Sequence, residues 1–387
     1  MNNTLLSLLF FPFPIFGLWR GEFTIRDGIK APFTFEVQRD STVILINGSE
    51  RFETGKFRVV GDSLFVPLDQ FDNELALKAQ NNQLSGVLRS QNLTGTTIPL
   101  VATKGKAERF KAKEAPAGNI TGRYALMFQF ESGKTEESVA VFTQDGNKLT
   151  GTFLKPSGDA RFLEGIVEGN RFYLSSFIGS SPGYYQGTIA DDSTITGFQA
   201  GSRVKHIFKG KKDANAKLAS AITKDGGDVL TFSLPDMHGN IISLADEKFR
   251  NKVVILAITG TWCPNCIDEA AFLSPWYKEN RDRGVEIVTI HFERQEDTAF
   301  ARKVMSRFRK RFDIMYDQVF AGLANANNVK EKIRGLDSFA SYPTTIFIGK
   351  DGRVSKIHSG YSGPATGKFY DEFVKEFNNE VDRLLKQ

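Results

Sequence analysis

Between Leu18 and Lys212 the chain is written almost entirely in strands. Apolar and polar residues alternate at period two, with aromatic and β-branched residues at the apolar positions. Gly21–Val37 alternates around Asp27-Gly28, a two-residue hairpin signal. Val43–Asn47 runs into Asn47-Gly48, and Val139–Phe153 turns at Asp145-Gly146. Few stretches in this region have helical periodicity. A chain with this grammar hides its apolar faces by stacking two sheets or closing one on itself, so an N-terminal all-β region, barrel or sandwich, is expected.

Residues 55–89 and 165–199 are similar to one another. Each has a Gly-Asp or Gly-Asn turn, a bulky strand, a second strand, and a polar turn into a strand in which Ser or Thr precedes Gly. The similarity predicts a duplication: two β units over 17–103 and 117–212, or one larger barrel. Charged, Ala- and Lys-rich Lys104–Ala117 would be the join. Gly17-Leu18-Trp19-Arg20-Gly21 and the meander after it loosely resemble lipocalin-like β domains, a likeness from which no ligand is carried over.

Lys211–Gly227 is polar and ends in Gly-Gly, so 213–227 is expected to be a linker. Beyond it the grammar changes. Val253–Ile258 is a continuous apolar run, as in a strand buried on both faces. Helical periodicity follows over Pro264–Lys278, then a strand over Val285–His291. An amphipathic helix comes next, with Phe300, Val304, Phe308 and Phe312 inward. Strands over Thr344–Ile348 and Val354–His358 meet at Asp351-Gly352, and a helix over Thr366–Leu385 closes the chain. This order of elements makes 228–387 an α/β domain.

Only two cysteines occur in 387 residues, Cys263 and Cys266, and both lie in one Cys-Pro-Asn-Cys tetrapeptide. No disulfide framework can hold the rest of the chain, so cysteine here is a reagent or a ligand. A hydrophobic share of 41% and a charged share of 25% exclude wholesale disorder and a polytopic membrane protein. The net charge is a modest +5. The basic runs Lys104–Lys113 and Arg302–Arg311 bring neither aromatic stacking nor a recognised module. They are expected to be solvated, and nucleic acid is not an expected partner. Residues 1–16 contain an apolar stretch, Leu5–Phe16, shorter than the ~20 residues a membrane span needs. Its length suits the core of a signal peptide, although no Lys or Arg precedes it and no Ala-x-Ala follows. Export is the expectation; cleavage and a membrane tether are left open.

A strand that runs into Cys-x-x-Cys at the start of a helix has a chemical purpose. Cys263 is expected at the N-cap, with Pro264 at the first helical position, where a missing N–H costs nothing. The free N–H groups and partial positive charge of a helix N-terminus favour a thiolate over a thiol. Cys266 falls on the same face and can close a disulfide with Cys263. The outer sulfur would attack and the inner one resolve the mixed disulfide, which requires no bound cofactor. A zinc site would need two further ligands, and His206, His238, His291 and His358 are scattered, so no metal is expected. Two alternatives stand beside this: an inert buried pair, and a thiol peroxidase, because Thr261-Trp262-Cys263 ends like the Thr-x-x-Cys of peroxiredoxins. Against the peroxidase, no proline precedes the threonine at the usual place and Cys266 sits too near to be the usual resolving cysteine. Gly179-Ser180-Ser181-Pro182-Gly183 has the spacing of a nucleophile elbow but leads into a strand, so it is expected to be a loop.

Lys252–Leu256, followed by Gly260-Thr261-Trp262-Cys263-Pro264-Asn265-Cys266-Ile267-Asp268-Glu269, resembles thioredoxin-like thiol–disulfide oxidoreductases of the TlpA/ResA type, over about residues 226–387. The resemblance implies an exported, commonly membrane-tethered protein that reduces protein disulfides with electrons from a partner dithiol. Pro343, in Ser341-Tyr342-Pro343-Thr344-Thr345, matches the position of the family's cis-proline. Trp262, Pro264, Tyr342 and Pro343 would then position substrate beside Cys263, and Glu269 would exchange a proton with Cys266. From the residues alone, Glu269 and Asp268 are equally acids facing the helix dipole, and Trp262 is equally a packing residue. Pro264-Asn265 departs from the x-Pro of many relatives and leaves the direction of electron flow open. A last alternative makes the β region the working part, a binding or scaffold module with an accessory redox domain.

Overall fold

The computed structural model describes residues 14–91, 95–105, 108–190, 193–218, 222–225 and 228–387. Most of the expected signal segment, up to residue 13, lies outside the described residues. Its described end packs inward: Ile15 is buried, and its carbonyl accepts from Trp19 Nε1 at 2.7 Å. The chain divides into two compact units. One runs to Phe153 and resumes over Ala160–Lys217; the other comprises Leu154–Asp159 and Leu218–Gln387.

In the first unit, nine strands between Gly17 and Lys104 lie in the spatial order fourth, third, second, first, ninth, eighth, seventh, sixth, fifth. The first and last strands of this meander pair, Trp19 opposite Lys104, but the sheet stops at Glu50–Glu53 on one side and Arg58–Val60 on the other. The result is a half-barrel. Its two edge strands are short and charged, which opposes further strand pairing. Gly21 has a packing reason: a Cβ there would meet the Phe33 ring at 2.2 Å, and Phe33 stacks on Phe23 with centroids 4.6 Å apart.

The strands between Gly122 and Lys212 repeat this topology and close it. Gly122–Gln129 pairs with Lys205–Lys212, and Thr135–Asp145 pairs with Lys148–Lys155, giving an eight-stranded barrel without free edges. The internal similarity falls on equivalent strands. Arg58–Val60, Ser63–Leu68, Asn73–Gln80 and Gln83–Ser90 of the half-barrel correspond to Leu163–Glu168, Arg171–Ser176, Gly183–Ile189 and Thr194–Ala200 of the barrel. The barrel interior is a packed core of rings: Phe153 stacks on Tyr185 at 4.6 Å, with Phe128, Phe142 and Phe208 all within 5.8 Å.

Two expectations for this unit need correction. The turn at Asp27-Gly28 is longer than two residues, because Ile25 N donates to Ile29 O and closes a five-residue loop with Asp27 and Gly28 both at positive φ. The run Lys104–Lys113 is not solvated throughout: Arg109 is only 2% exposed. Its guanidinium donates to Ser175 O at 2.7 Å, Asn47 Oδ1 at 2.8 Å and Ile46 O, so a charge that pattern reading assigned to solvent is buried against three acceptors.

The second unit is built on a six-stranded sheet. Its strands are β1 (Ile222–Asp225), β2 (Val253–Thr259), β3 (Val285–Glu293), β4 (Asp317–Leu323), β5 (Thr344–Ile348) and β6 (Val354–Ser359). Their spatial order is β1-β6-β5-β2-β3-β4; β2, β3 and β4 are parallel, and β5 and β6 antiparallel. Four helices accompany them: α1 (Pro264–Asn280), α2 (Thr298–Phe312), α3 (Ala326–Lys332) and α4 (Lys368–Leu385). Every residue of β2 is buried, as its unbroken apolar run requires. The ring of Phe377 on α4 anchors that helix against Phe272 and Trp276 of α1 and Phe347 of β5, at 5.0–5.1 Å. This arrangement is a mixed α/β thioredoxin-like domain. Among the described residues, no helix is long and apolar enough to cross a membrane.

Three local departures have physical causes. The buried face of α2 is Ala301, Val304, Met305 and Phe308, with Phe300 and Phe312 only half-buried. Spacing by four residues drifts about 40° per step, so the ends of the expected stripe rotate off the core. Within the expected linker, Ile222–Asp225 pairs with β6 as an edge strand. Strand β4 was not expected, because its opening residues Asp317 and Gln318 break the apolar pattern; Gln318 is nevertheless buried, bonded to His291 Nε2 at 3.0 Å.

Candidate active site

Central strand β2 ends at Thr259, and Cys263 caps helix α1 four residues later. Cys263 has extended backbone angles (φ −93°, ψ 120°), and its sulfur accepts from Cys266 N at 3.3 Å while Pro264 takes the first helical turn. The N-cap geometry therefore aims an orphan N–H at the outer sulfur, which suits a sulfur carrying negative charge. Both cysteines are free thiols; Cys263 is 6% exposed and Cys266 1%. Burial pushes the Cys266 thiol well above its usual range, and the neighbouring Cys263 and Glu269 push the same way.

The loop before β5 supplies the opposite wall. Tyr342–Pro343 is a cis peptide bond, and the Tyr342 carbonyl lies 3.7 Å from Cys263 Sγ. Tyr342 meets Trp262 edge-on at 5.4 Å and Phe339 at 4.7 Å. Trp262 is itself fixed: its Nε1 donates to Phe292 O at 2.9 Å, and the Arg294 guanidinium lies over its ring at 5.0 Å. Trp262, Pro264, Tyr342 and Pro343 thus all lie around Cys263.

Behind the dithiol sits Glu269, one turn along α1 from Cys266 and 2% exposed. Its Oε1 accepts from Thr345 Oγ1 of β5 at 2.5 Å. That single bond does not offset its burial, which pushes its pKa up to about 7. A carboxyl poised near neutrality beside a buried thiol can take or return a proton.

Pattern reading missed a second buried acid. Glu293, at the end of β3 and 1% exposed, accepts from Thr261 N at 3.1 Å and Thr261 Oγ1 at 2.8 Å, with His291 Nδ1 3.6 Å from its Oε1. The signal was available: a glutamate closing the strand Val285–Glu293, which interleaves Val, Ile and Phe with few polar residues, is a charge in a buried strand. The Thr261 hydroxyl is thereby engaged by Glu293. Among the described residues, no three His, Cys, Asp or Glu side chains cluster as metal ligands.

The AhpC/TSA family matches residues 226–357. Thiol-disulfide oxidoreductase ResA of Geobacillus kaustophilus is 32% identical over 135 residues, covering 35% of this chain and 69% of the relative. The chain belongs to the ResA-type thiol-disulfide oxidoreductases. ResA of Halalkalibacterium halodurans is 27% identical over 162 residues, covering 41% of this chain and 77% of its own. A thioredoxin-family thiol:disulfide interchange protein from Chlorobium tepidum is similar over 44% of this chain and 99% of its own, at 21% identity and a TM-score of 0.31. The ResA-type part of the molecule is thus the unit that carries the dithiol, a thiol–disulfide oxidoreductase with the pair Cys263–Cys266.

Proposed function

We propose that this protein reduces disulfides in other proteins. One arrangement carries the reading: the Cys263 sulfur stands between the α1 N-terminus and the Tyr342–Pro343 wall, with Glu269 behind its partner thiol. The Cys263 thiolate attacks one sulfur of a substrate disulfide, forming a mixed disulfide and releasing the other sulfur as a thiolate. Cys266 gives its proton to Glu269 and attacks Cys263 Sγ, releasing the second substrate thiolate. Two electrons pass to the substrate, and the Cys263–Cys266 disulfide remains. A donor dithiol of the same compartment reverses the last step on the protein. Tyr342 and Pro343 would hold the substrate chain beside Cys263, and Trp262 would shield the mixed disulfide.

The resemblance of the Cys-Pro-Asn-Cys region and the apolar stretch Leu5–Phe16 support an exported location, which fractionation of the native protein would test. Replacing Cys263 with Ser should abolish insulin disulfide reduction; retained turnover would remove this reading. The direction of electron flow rests on the reduction potential of the pair. A value near thioredoxin's, about −270 mV, supports a reductase, and one near DsbA's, about −120 mV, an oxidase.

A further inference from the structure

The unit that carries the dithiol includes Leu154–Asp159, a segment remote in sequence from the rest of it. Leu154 and Lys155 pair antiparallel with Asp159 and Gly158, which makes a tight reversal. Asp159 is held on three sides. Its Oδ2 accepts from Gly363 N at 2.5 Å, and its N–H donates to Tyr361 O at 3.3 Å. With the Asn265 amide turned accordingly, Nδ2 donates to Asp159 O at 3.1 Å and Oδ1 accepts from Asp159 N at 3.0 Å. Asn265 is the residue immediately before Cys266, so the segment grips the Cys-x-x-Cys turn itself.

Glycine permits the approach. Gly158 has φ +121°, and a Cβ there would lie 1.7 Å from the Asn265 side-chain amide; at Gly360 (φ +76°) a Cβ would lie 2.5 Å from Pro156 O. These contacts are more than incidental packing. The Asn265 side-chain amide engages both main-chain groups of Asp159, as main-chain hydrogen bonds hold a bound peptide segment, and here the chain itself supplies that segment.

We propose that Pro156–Asp159 determines the substrate specificity of the dithiol. It occupies the main-chain-binding edge of Asn265 and leaves Cys263 to be reached along the Trp262–Tyr342 flank. Small disulfides, and disulfides in extended, protruding chain, react with the segment in place. Disulfides embedded in a bulky folded surface react only when Asp159 lets go of Asn265 and Gly363. This inference rests on the reading of Cys263 as the attacking sulfur.

The test uses the full chain with Cys266→Ser, which leaves one thiol, and compares two probes with the same reactive group: N-ethylmaleimide and a maleimide held by a short linker against the surface of a folded globular protein that has no free cysteine. Gly158→Ala forces the segment off Asn265, and Asp159→Ala removes the carboxylate bond to Gly363; neither touches the dithiol. Each variant should raise the large-to-small rate ratio about tenfold, the equivalent of one lost charge-assisted hydrogen bond, with the small-probe rate unchanged. An unchanged ratio overturns the proposal, and so does a parallel rise of both rates, which would make the segment packing alone. Slow reaction with N-ethylmaleimide in every form would instead count against Cys263 as the nucleophile.

Discussion

Each unit of the molecule buries an ionisable side chain, and the two are treated in opposite ways. In the β unit, the Arg109 guanidinium has Ser175 O, Asn47 Oδ1 and Ile46 O as acceptors, and Glu164 and Glu50 add favourable charge. Burial lowers its pKa only to about 10, so it stays charged at neutral pH. In the redox unit, Glu269 has one hydrogen bond, and burial brings it to about 7. A buried charge that meets three acceptors holds a fold together; one left with a single bond beside a thiol is available for proton transfer.

The comparison makes opposite forecasts for the two residues. Arg109→Met should cost about 3 to 5 kcal/mol of stability, because it strands the buried acceptors Ser175 O, Asn47 Oδ1 and Ile46 O and removes a favourable charge near Glu50 and Glu164. Denaturant unfolding would show this, with disulfide reduction per folded molecule unchanged. A change in redox rate at constant folding would break the contrast. Glu269→Gln should act the other way, slowing resolution of the mixed disulfide about 100-fold, the usual scale for a lost general base.

Glu269 also gives a signed pH dependence. Its folded pKa is raised, so between about 4.5 and 7 the native state holds a proton that the unfolded chain has released, and stability falls as pH rises through that window. The loss is about 3 kcal/mol in total. The glutamine variant should lack this slope and be more stable than the parent at pH values above the window, although it is the poorer enzyme. Melting curves across that range decide the point.

The dithiol half was legible because its constraints are local. An apolar strand, an N-cap cysteine, a proline at the first helical position and a second cysteine on the same face all lie within the fourteen residues Val253–Cys266. Strand β4 and Glu293 were harder to read, since what stabilises them is distant in sequence: Gln318 finds His291, and Glu293 finds Thr261. The β half could be assigned as duplicated strands because Gly and Asn turns punctuate it. Closure of the barrel depends on pairing Gly122–Gln129 with Lys205–Lys212, far apart in the chain, and local alternation holds no record of that. The same blindness hid Asp159, whose partners Asn265 and Gly363 lie more than a hundred residues away.

Glu293 is the case that sharpens the contrast most finely, because it is a buried acid bonded to Thr261, two residues before Cys263, and its bonding is that of a structural group. Both its oxygens are taken by Thr261, so it should fall on the side of Arg109. Glu293→Ala leaves the Thr261 N–H buried without an acceptor and should cost about 1 to 3 kcal/mol. Glu293→Gln keeps an acceptor for that N–H, and the Thr261 hydroxyl can turn to accept from the new amide, so its stability and its rate of mixed-disulfide resolution should stay close to the parent's. Rapid-mixing measurement of that step in Glu293→Gln and Glu269→Gln compares two conservative changes at two buried acids of one site. If the two variants slowed the step equally, hydrogen-bond satisfaction would not separate structural from chemical acids here, and Glu293 would belong to the proton-transfer machinery.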